Sequence, residues 1–278
     1  MNSVNKTLYI PLYGKAYVSK KAIILLDRKA EEIWAAEGFS LKGKSKSKWL
    51  AYYMGMRSAV FDKWLLEQLK EKKDAVVIHI GCGMDSRVVR VGTKRCLDIK
   101  SSNDIGNHIS VGNTWYDVDF PEVIAERKRY YSENSEYHMI ASDVRTKDWL
   151  EKIPAKSNAV VVMEGVSMYM KPEQLQQVFV NLAAYFEQVT ILMDCYTTFA
   201  AKVSKYKNPI NDVGVTKVYG LDEPRLLETE QGVAFVKEHE MTPEVYVNEL
   251  KGMERIIFKK LFAGEISRRM YRLYEYKK

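Results

Sequence analysis

Short, continuous apolar runs that alternate with helix-like segments constrain the fold of this 278-residue chain most strongly. The first run, residues 75–80, is rich in β-branched side chains and ends at Gly81. Similar runs follow at residues 137–141, 159–163 and 189–193, with helix-like segments between them at residues 121–131 and 172–186. Strands buried on both faces that alternate with helices are typical of a parallel sheet. The pattern therefore predicts an α/β fold with a mostly parallel, doubly wound sheet.

The N-terminal part has a helical pattern instead. Apolar residues at helical spacing predict helices over residues 22–36 and 49–70, joined by the basic loop 42–48. We expect residues 1–74 to form a helical cap, and the whole chain, residues 1–278, to form one domain.

The C-terminal part adds strands to the sheet. Residues 234–237 and 271–276 are predicted strands, and residues 243–262 have a mostly helical pattern. The last strand alternates and needs a pairing partner. An antiparallel neighbour at the edge of the sheet would provide one.

The composition excludes several classes of protein. Hydrophobic residues make up 46% and charged residues 28%, which are ordinary values for a globular domain and not for a disordered or fibrous chain. Apolar runs are shorter than the roughly 18 residues of a membrane span, and the start lacks a signal-like stretch, so we expect a cytoplasmic protein without a membrane partner. The three cysteines, Cys82, Cys96 and Cys195, are too scattered for a disulfide framework or a zinc site.

The net charge of +7 is unevenly distributed. Residues 1–74 carry +7, residues 75–250 carry −6 and residues 251–278 carry +6. A basic total is typical of nucleic-acid binding, but here the middle of the chain is acidic. The total alone therefore does not indicate a nucleic-acid partner.

The turn after the first predicted strand is the most informative motif. It contains Gly81, Cys82 and Gly83, and a helix is predicted to begin directly after it. Glycines there permit a tight turn and close approach of a ligand to the backbone. Ser86 stands where a dinucleotide fingerprint has its third glycine, so an ordinary strand-to-helix turn remains the alternative.

An acidic residue at the end of the second strand would hold the hydroxyls of a ribose. Asp98 and Asp119 are both candidates, and we favour Asp119 because residues 115–119 resemble a strand end followed by a helix start at Pro121. Residues 93–113 are then an insertion. The alternative role for Asp119 is a helix N-cap, and one carboxylate can serve both roles.

Two more carboxylates follow later strands. Asp143 comes after the third strand, where it can accept a hydrogen bond from an adenine amine, and Glu164 comes after the fourth. Their alternatives are a cap or turn for Asp143 and a paired structural acid for Glu164. Three carboxylates at one end of a sheet suit a cationic cofactor better than a triphosphate, and the sequence has no phosphate loop. S-adenosylmethionine, a sulfonium that carries adenosine, fits this charge balance.

These motifs in this order resemble the leucine carboxyl methyltransferase family, in its branch of tetracenomycin-type polyketide O-methyltransferases. The resemblance covers nearly the whole chain and is most specific in its four central motifs. The matching stretches are residues 81–87, 116–121, 142–145 and 164–170, with weaker matches at 19–20, 52–57 and 219–222. The resemblance implies a class I methyltransferase with a Rossmann-like sheet and a helical cap.

The resemblance also implies roles for individual residues. The turn of Gly81, Cys82 and Gly83 would approach the methionine part of S-adenosylmethionine, Asp119 would hold the ribose, and Asp143 and Val144 would frame the adenine. Arg57 and Lys20 would meet the methionine carboxylate, and Glu164 would lie near the amino group. From the residues alone, an exposed helix face is the favoured position for Arg57.

The acceptor is less constrained than the cofactor. Residues 195–230 are expected to form a substrate lid, and Tyr196, Thr197 and Tyr206 are the candidate acceptor contacts; packing in the core or in the lid is the alternative for each. A carboxylate acceptor is already ionised and needs no general base, whereas a hydroxyl would benefit from one. None of the four histidines stands in a catalytic motif, so the sequence identifies no catalytic residue and no metal site.

The predicted function is therefore an S-adenosylmethionine-dependent O-methyltransferase that acts on a small molecule or a peptide. The alternative is a cofactor-binding or basic-faced nucleic-acid-binding module without that activity. The oligomeric state is left open.

Overall fold

The computed structural model describes residues 5–38, 41, 43–92, 113–155, 158–204 and 217–278. Most of the 93–113 insertion and the candidate residues Asp98 and Tyr206 lie outside these ranges. Asn113 is described, and its side-chain amide donates hydrogen bonds to the carbonyls of Lys72, Lys73 and Ala75.

Three helices precede the sheet. They are α1 (Tyr9–Lys20), α2 (Arg28–Glu37) and α3 (Lys48–Glu71), and a short 3-10 turn, Gly43–Lys46, lies within the predicted basic loop. The sequence pattern did not predict α1. It also placed the start of α2 too early, because Asp27 caps α2 by accepting a hydrogen bond from the backbone of Ala30.

Up to β5 an α-helix lies between successive strands, except between β3 and β4, where the structure has a short 3-10 helix, Leu150–Lys152. The predicted helical segment 243–262 is divided into α8 and α9. In chain order the remaining elements are β1 (Val76–Ile80), α4 (Arg87–Arg90), β2 (Trp115–Asp119), α5 (Pro121–Arg127), β3 (Tyr137–Ala141), β4 (Asn158–Met163), α6 (Pro172–Tyr185), β5 (Gln188–Tyr196), α7 (Thr198–Val203), β6 (Ala234–His239), α8 (Glu244–Val247), α9 (Gly252–Leu261), α10 (Gly264–Arg268) and β7 (Tyr271–Lys277).

These strands form one sheet in the order β3-β2-β1-β4-β5-β7-β6. Strands β1 to β5 are parallel, and β7 pairs antiparallel with both β5 and β6. The final strand thus has its antiparallel neighbour, β6, at the edge of the sheet, as the alternating pattern predicted. The predicted α/β class with a mostly parallel sheet is confirmed.

Hydrophobic clusters cover both faces of the sheet. Along β1, Val77 faces a cluster that includes Tyr52 and Phe61 of α3, whereas Ile78 faces a cluster that includes Phe179 of α6. Each fully buried side chain of this size contributes about 1.5–3 kcal/mol. The helical cap and the sheet therefore share a core. Within the described residues, no helix combines the length and apolarity needed to cross a membrane.

Candidate functional site

A cavity of about 740 Å³ opens at the carboxyl ends of the parallel strands. Its walls come from the segments that follow β1 to β5 and from α1, α3, α9 and α10 on the opposite side. Ligands of open α/β sheets bind at this edge, because the strands end there and the connecting segments diverge. Of the sequence-predicted site residues, those that line the cavity are Arg57, Gly81, Cys82, Gly83, Asp119, Asp143, Val144, Glu164 and Tyr196.

The glycine turn after β1 is held tightly in place. Gly81 and Gly83 have φ angles of +67° and +50°, and a Cβ on Gly81 would lie 2.8 Å from the Cβ of Val166. Arg127 donates hydrogen bonds to the carbonyls of Gly83 (3.0 Å) and Asp85 (2.7 Å). The turn therefore brings backbone to the cavity wall. The following helix, α4, has only four residues, so its dipole contributes little at the turn.

Asp119 ends β2 beside this turn. Its carboxylate accepts hydrogen bonds from the backbone N–H of Gly83 and of Phe120, both at 2.8 Å. Burial raises the pKa of Asp119 to about 6, although the backbone donors favour its ionised form. The N-cap interpretation of Asp119 is wrong, because Phe120 occupies that position.

Asp143 lies half-buried after β3, next to the buried Val144. Its carboxylate accepts hydrogen bonds from the side chain of Arg145 at 2.8 and 2.9 Å, and this bonding lowers the pKa of Asp143. Asp143 is therefore ionised at the cavity wall and is already paired with a cation.

Arg57 of α3 is buried, so the exposed-face interpretation is wrong. Its Nε donates to Glu164 at 3.0 Å and its Nη1 to Asp194 at 2.9 Å. Glu164 also accepts hydrogen bonds from Arg87 and from Ser58. Burial opposes the ionisation of Glu164, but the charges of Arg87 and Arg57 outweigh it and lower the pKa of Glu164 to about 2.

Two predicted residues lie elsewhere. Lys20 is exposed at the end of α1, and Lys15 lines the cavity instead, with its Nζ 3.3 Å from Asp85. Five residues are about one and a third turns of a helix, so the two side chains point in different directions. Thr197 does not line the cavity; its hydroxyl accepts from the N–H of Ala200 and caps α7.

One part of the cavity wall is mainly aromatic and apolar. The residues are Tyr53, Met168, Tyr169, Tyr196, Leu261, Phe262, Ile266, Met270 and Tyr271. Burial raises the pKa of Tyr53, Tyr169 and Tyr271, so these phenols are neutral at physiological pH. Sequence reasoning identified only Tyr196 here; Tyr53 and Tyr169 lie within the family-like stretches 52–57 and 164–170, which was a usable signal.

His79 is the histidine of the described residues that lines the cavity. Its Nε2 lies 3.2 Å from Arg87, its Nδ1 lies 3.5 Å from Asp117, and burial lowers its pKa. The ring is thus neutral and held within a network of charged side chains. Among the residues that the structure describes, no three His, Cys, Asp or Glu side chains are grouped as a metal site.

The sequence profile of leucine carboxyl methyltransferases matches residues 11–183, which is more than half of the chain. The chain belongs to the leucine carboxyl methyltransferase family. It is 26% identical over 257 residues to the tetracenomycin polyketide synthesis O-methyltransferase TcmP of Streptomyces glaucescens, covering 92% of this chain and 89% of that protein.

Another relative of this chain is the S-adenosyl-L-methionine-dependent methyltransferase dpfgK of Gibberella zeae, which is 22% identical over 82% of this chain and 79% of that protein. The fold is similar to that of magnesium protoporphyrin IX methyltransferase from Synechocystis PCC 6803, solved with bound SAH, with a TM-score of 0.52 and 12% identity over 89% and 93% of the two chains. The protein is an S-adenosylmethionine-dependent O-methyltransferase.

Proposed function

We propose that the protein transfers a methyl group to a hydroxyl of a small aromatic molecule. The observation that supports this acceptor most directly is the aromatic and apolar wall at one end of the cavity. A carboxylate acceptor would need an available cation there. Lys15 and Arg57, however, are already paired with Asp85, Glu164 and Asp194, and Arg145 is paired with Asp143. Lys44 also lines the cavity, so a carboxylate acceptor would depend on that side chain.

The cofactor end fits S-adenosylmethionine. Gly81 packs against Val166, where a Cβ would collide, and the turn of Gly81, Cys82 and Gly83 lines the cavity, where a cofactor could approach its backbone. Asp119 would accept from the ribose hydroxyls, and Asp143 and Val144 would frame the adenine. Because Nε and Nη1 of Arg57 are used by carboxylates, its Nη2 is left to meet the methionine carboxylate.

When bound, the cofactor supplies an electrophilic methyl group on a positively charged sulfur. The residues of this chain then have to hold the acceptor oxygen in line with that methyl and exclude water. Tyr53, Tyr169 and Tyr271 are neutral, so they orient the acceptor through hydrogen bonds and ring contacts and do not act as bases.

The test is incubation with methyl-labelled S-adenosylmethionine and a panel of naphthols, aromatic carboxylic acids and a peptide with a free C-terminal carboxylate. We expect labelled ethers, which resist alkaline hydrolysis. Base-labile label on the acids or the peptide would contradict the hydroxyl acceptor. Cofactor binding without transfer to any naphthol of the panel would contradict the small aromatic acceptor.

A variant pair tests the aromatic wall. Tyr271→Phe should raise KM for the acceptor and leave cofactor affinity unchanged. The control is Tyr185→Phe, whose hydroxyl bonds the carbonyl of Ile153 outside the cavity. Equal effects of the two substitutions would contradict the assignment of this wall to the acceptor.

A further inference from the structure

One cation on the cavity wall has no carboxylate partner. Lys44 lines the cavity from the short 3-10 turn Gly43–Lys46 that precedes α3. Among the described residues, its ammonium group makes neither an ion pair nor a hydrogen bond. The other Lys and Arg side chains of the described wall are each paired with an acid: Lys15 with Asp85, Arg57 with Glu164 and Asp194, and Arg145 with Asp143. The charge of Lys44 is therefore available to a ligand.

The backbone around Lys44 is held in place. The carbonyl of Lys44 accepts a hydrogen bond from the N–H of Ser47 at 3.1 Å, and the hydroxyl of Tyr13 in α1 donates to the carbonyl of Lys46 at 3.2 Å. Between them Ser45 is completely buried. The turn thus fixes the Cα of Lys44 beside the cavity, while its exposed side chain can adjust to a bound group.

Lys44 lies at the opposite end of the α3 wall from Arg57. The wall residues of α3 run from Leu50, in its first turn, to Arg57. Seven residues separate these two, which is about 10 Å along the helix axis. Arg57 is the residue expected to meet the methionine carboxylate of the cofactor. The unpaired ammonium of Lys44 is therefore remote from that part of the site.

The first turn of α3 instead adjoins the aromatic part of the wall. The ring of Trp49 stacks on that of Phe262, which lines the cavity, with centroids 5.6 Å apart. Lys48 donates a hydrogen bond to Glu254 of α9 at 2.7 Å. An aromatic acceptor bound along this wall would then have the cofactor beyond one end and Lys44 near the other.

We propose that Lys44 is a specificity-determining residue that pairs with an anionic substituent of the acceptor, so that the preferred acceptor is an aromatic hydroxy acid. This inference rests on the proposed function: the hydroxyl takes the methyl group, and the carboxylate, which is ionised at neutral pH, stays unmethylated beside Lys44. A lysine ammonium is a compact charge with three donors and suits this pairing. Because Lys44 is exposed, water and salt weaken the attraction and the preference is moderate.

The test compares 6-hydroxy-2-naphthoic acid with its methyl ester, which keeps the ring and the hydroxyl but has no charge. With methyl-labelled S-adenosylmethionine, we expect the KM of the wild type for the acid to be about fivefold below that for the ester at about 50 mM NaCl. The ratio should fall below about twofold at about 500 mM NaCl, because salt screens the pair.

The outcomes separate this inference from the proposed function. Equal KM values, or a ratio that salt does not change, would overturn the inference, while ether formation from both compounds would still support the hydroxyl acceptor. Base-labile label on the acid, with no ether from the ester, would overturn the proposed function and this inference with it.

Substitutions within one turn test the residue itself. Lys44→Gln should bring the KM ratio to about one, and Lys44→Arg, which keeps the charge, should retain it. The matched control is Lys46→Gln, because Lys46 is exposed in the same turn and does not line the cavity. A Lys44→Gln protein, verified as folded by thermal unfolding, that keeps the wild-type ratio would refute the role of Lys44. Equal effects of Lys44→Gln and Lys46→Gln, or a loss confined to the affinity for S-adenosylmethionine, would refute it as well.

Discussion

Replacing Arg57 by methionine tests the electrostatic description of the site. The substitution removes a buried guanidinium that contacts Glu164 at 3.0 Å and Asp194 at 2.9 Å. Glu164 keeps Arg87 and Ser58 as partners. Among the described residues, the carboxylate of Asp194 keeps only the N–H of Gly165, at 2.6 Å. The cost therefore falls mainly on Asp194.

The size of this cost can be bounded. Removing one partner of a buried ion pair costs about 3–5 kcal/mol. Asp194 can instead take up a proton, and protonating an aspartate of ordinary pKa costs about 4 kcal/mol at pH 7 and about 1.5 kcal/mol at pH 5. Arg57→Met should therefore be destabilised by up to about 4 kcal/mol at pH 7. The penalty should shrink at pH 5, because the cost of a raised folded-state pKa grows as the pH rises from the ordinary pKa of the unfolded chain towards the raised value.

Urea unfolding followed by circular dichroism measures the effect. With a slope of ~3 kcal/mol/M, the midpoint should fall by ~1.3 M at pH 7 and ~0.5 M at pH 5. The double variant Arg57→Met/Asp194→Asn removes both charges and should recover to within about 1–2 kcal/mol of the wild type. Equal losses at the two pH values, or a double variant as unstable as the sum of its parts, would refute the reasoning.

Two further substitutions address the cofactor site. Ionised Asp119 is expected to hold the ribose and its pKa is about 6, so the affinity of the wild type for S-adenosylmethionine should fall about tenfold per pH unit below pH 6. Asp119→Asn should bind the cofactor weakly, with an affinity that does not change with pH. A wild-type affinity that calorimetry finds constant from pH 5 to 7 would contradict this role. Gly81→Ala should lower the free energy of unfolding by about 2–4 kcal/mol, because of the positive φ and the clash with Val166. The control is Gly38→Ala, where φ is +59° and no atom lies within 4 Å of the added Cβ, and it should lose only about 1–2 kcal/mol in thermal unfolding. Equal losses would show that the contact with Val166 is not the constraint.

The strands and the carboxylates that follow them could be predicted from local sequence. Residues 75–80 and 159–163 are continuous apolar runs because parallel strands are buried on both faces, and the structure has β1 and β4 at those places. Asp119 and Glu164 were predicted to lie together because the carboxyl ends of parallel strands share one edge of a sheet. Helix α1 was not predicted from such patterns, because its apolar residues pack among neighbours that are distant in sequence.

The sequence by itself determined the α/β class, the glycine turn and the carboxylates at its edge, since each depends on periodicity or on residues a few positions apart. Only the tertiary structure decided that Lys15 and not Lys20 faces the cavity, that Arg57 is buried between Glu164 and Asp194, and that Tyr53, Tyr169 and Tyr271 form the wall beside Tyr196. These contacts join α1, α3 and β7 to strand ends more than 70 residues away in several cases. Such pairings depend on how helix faces rotate against the sheet, and no local pattern of residues encodes that rotation.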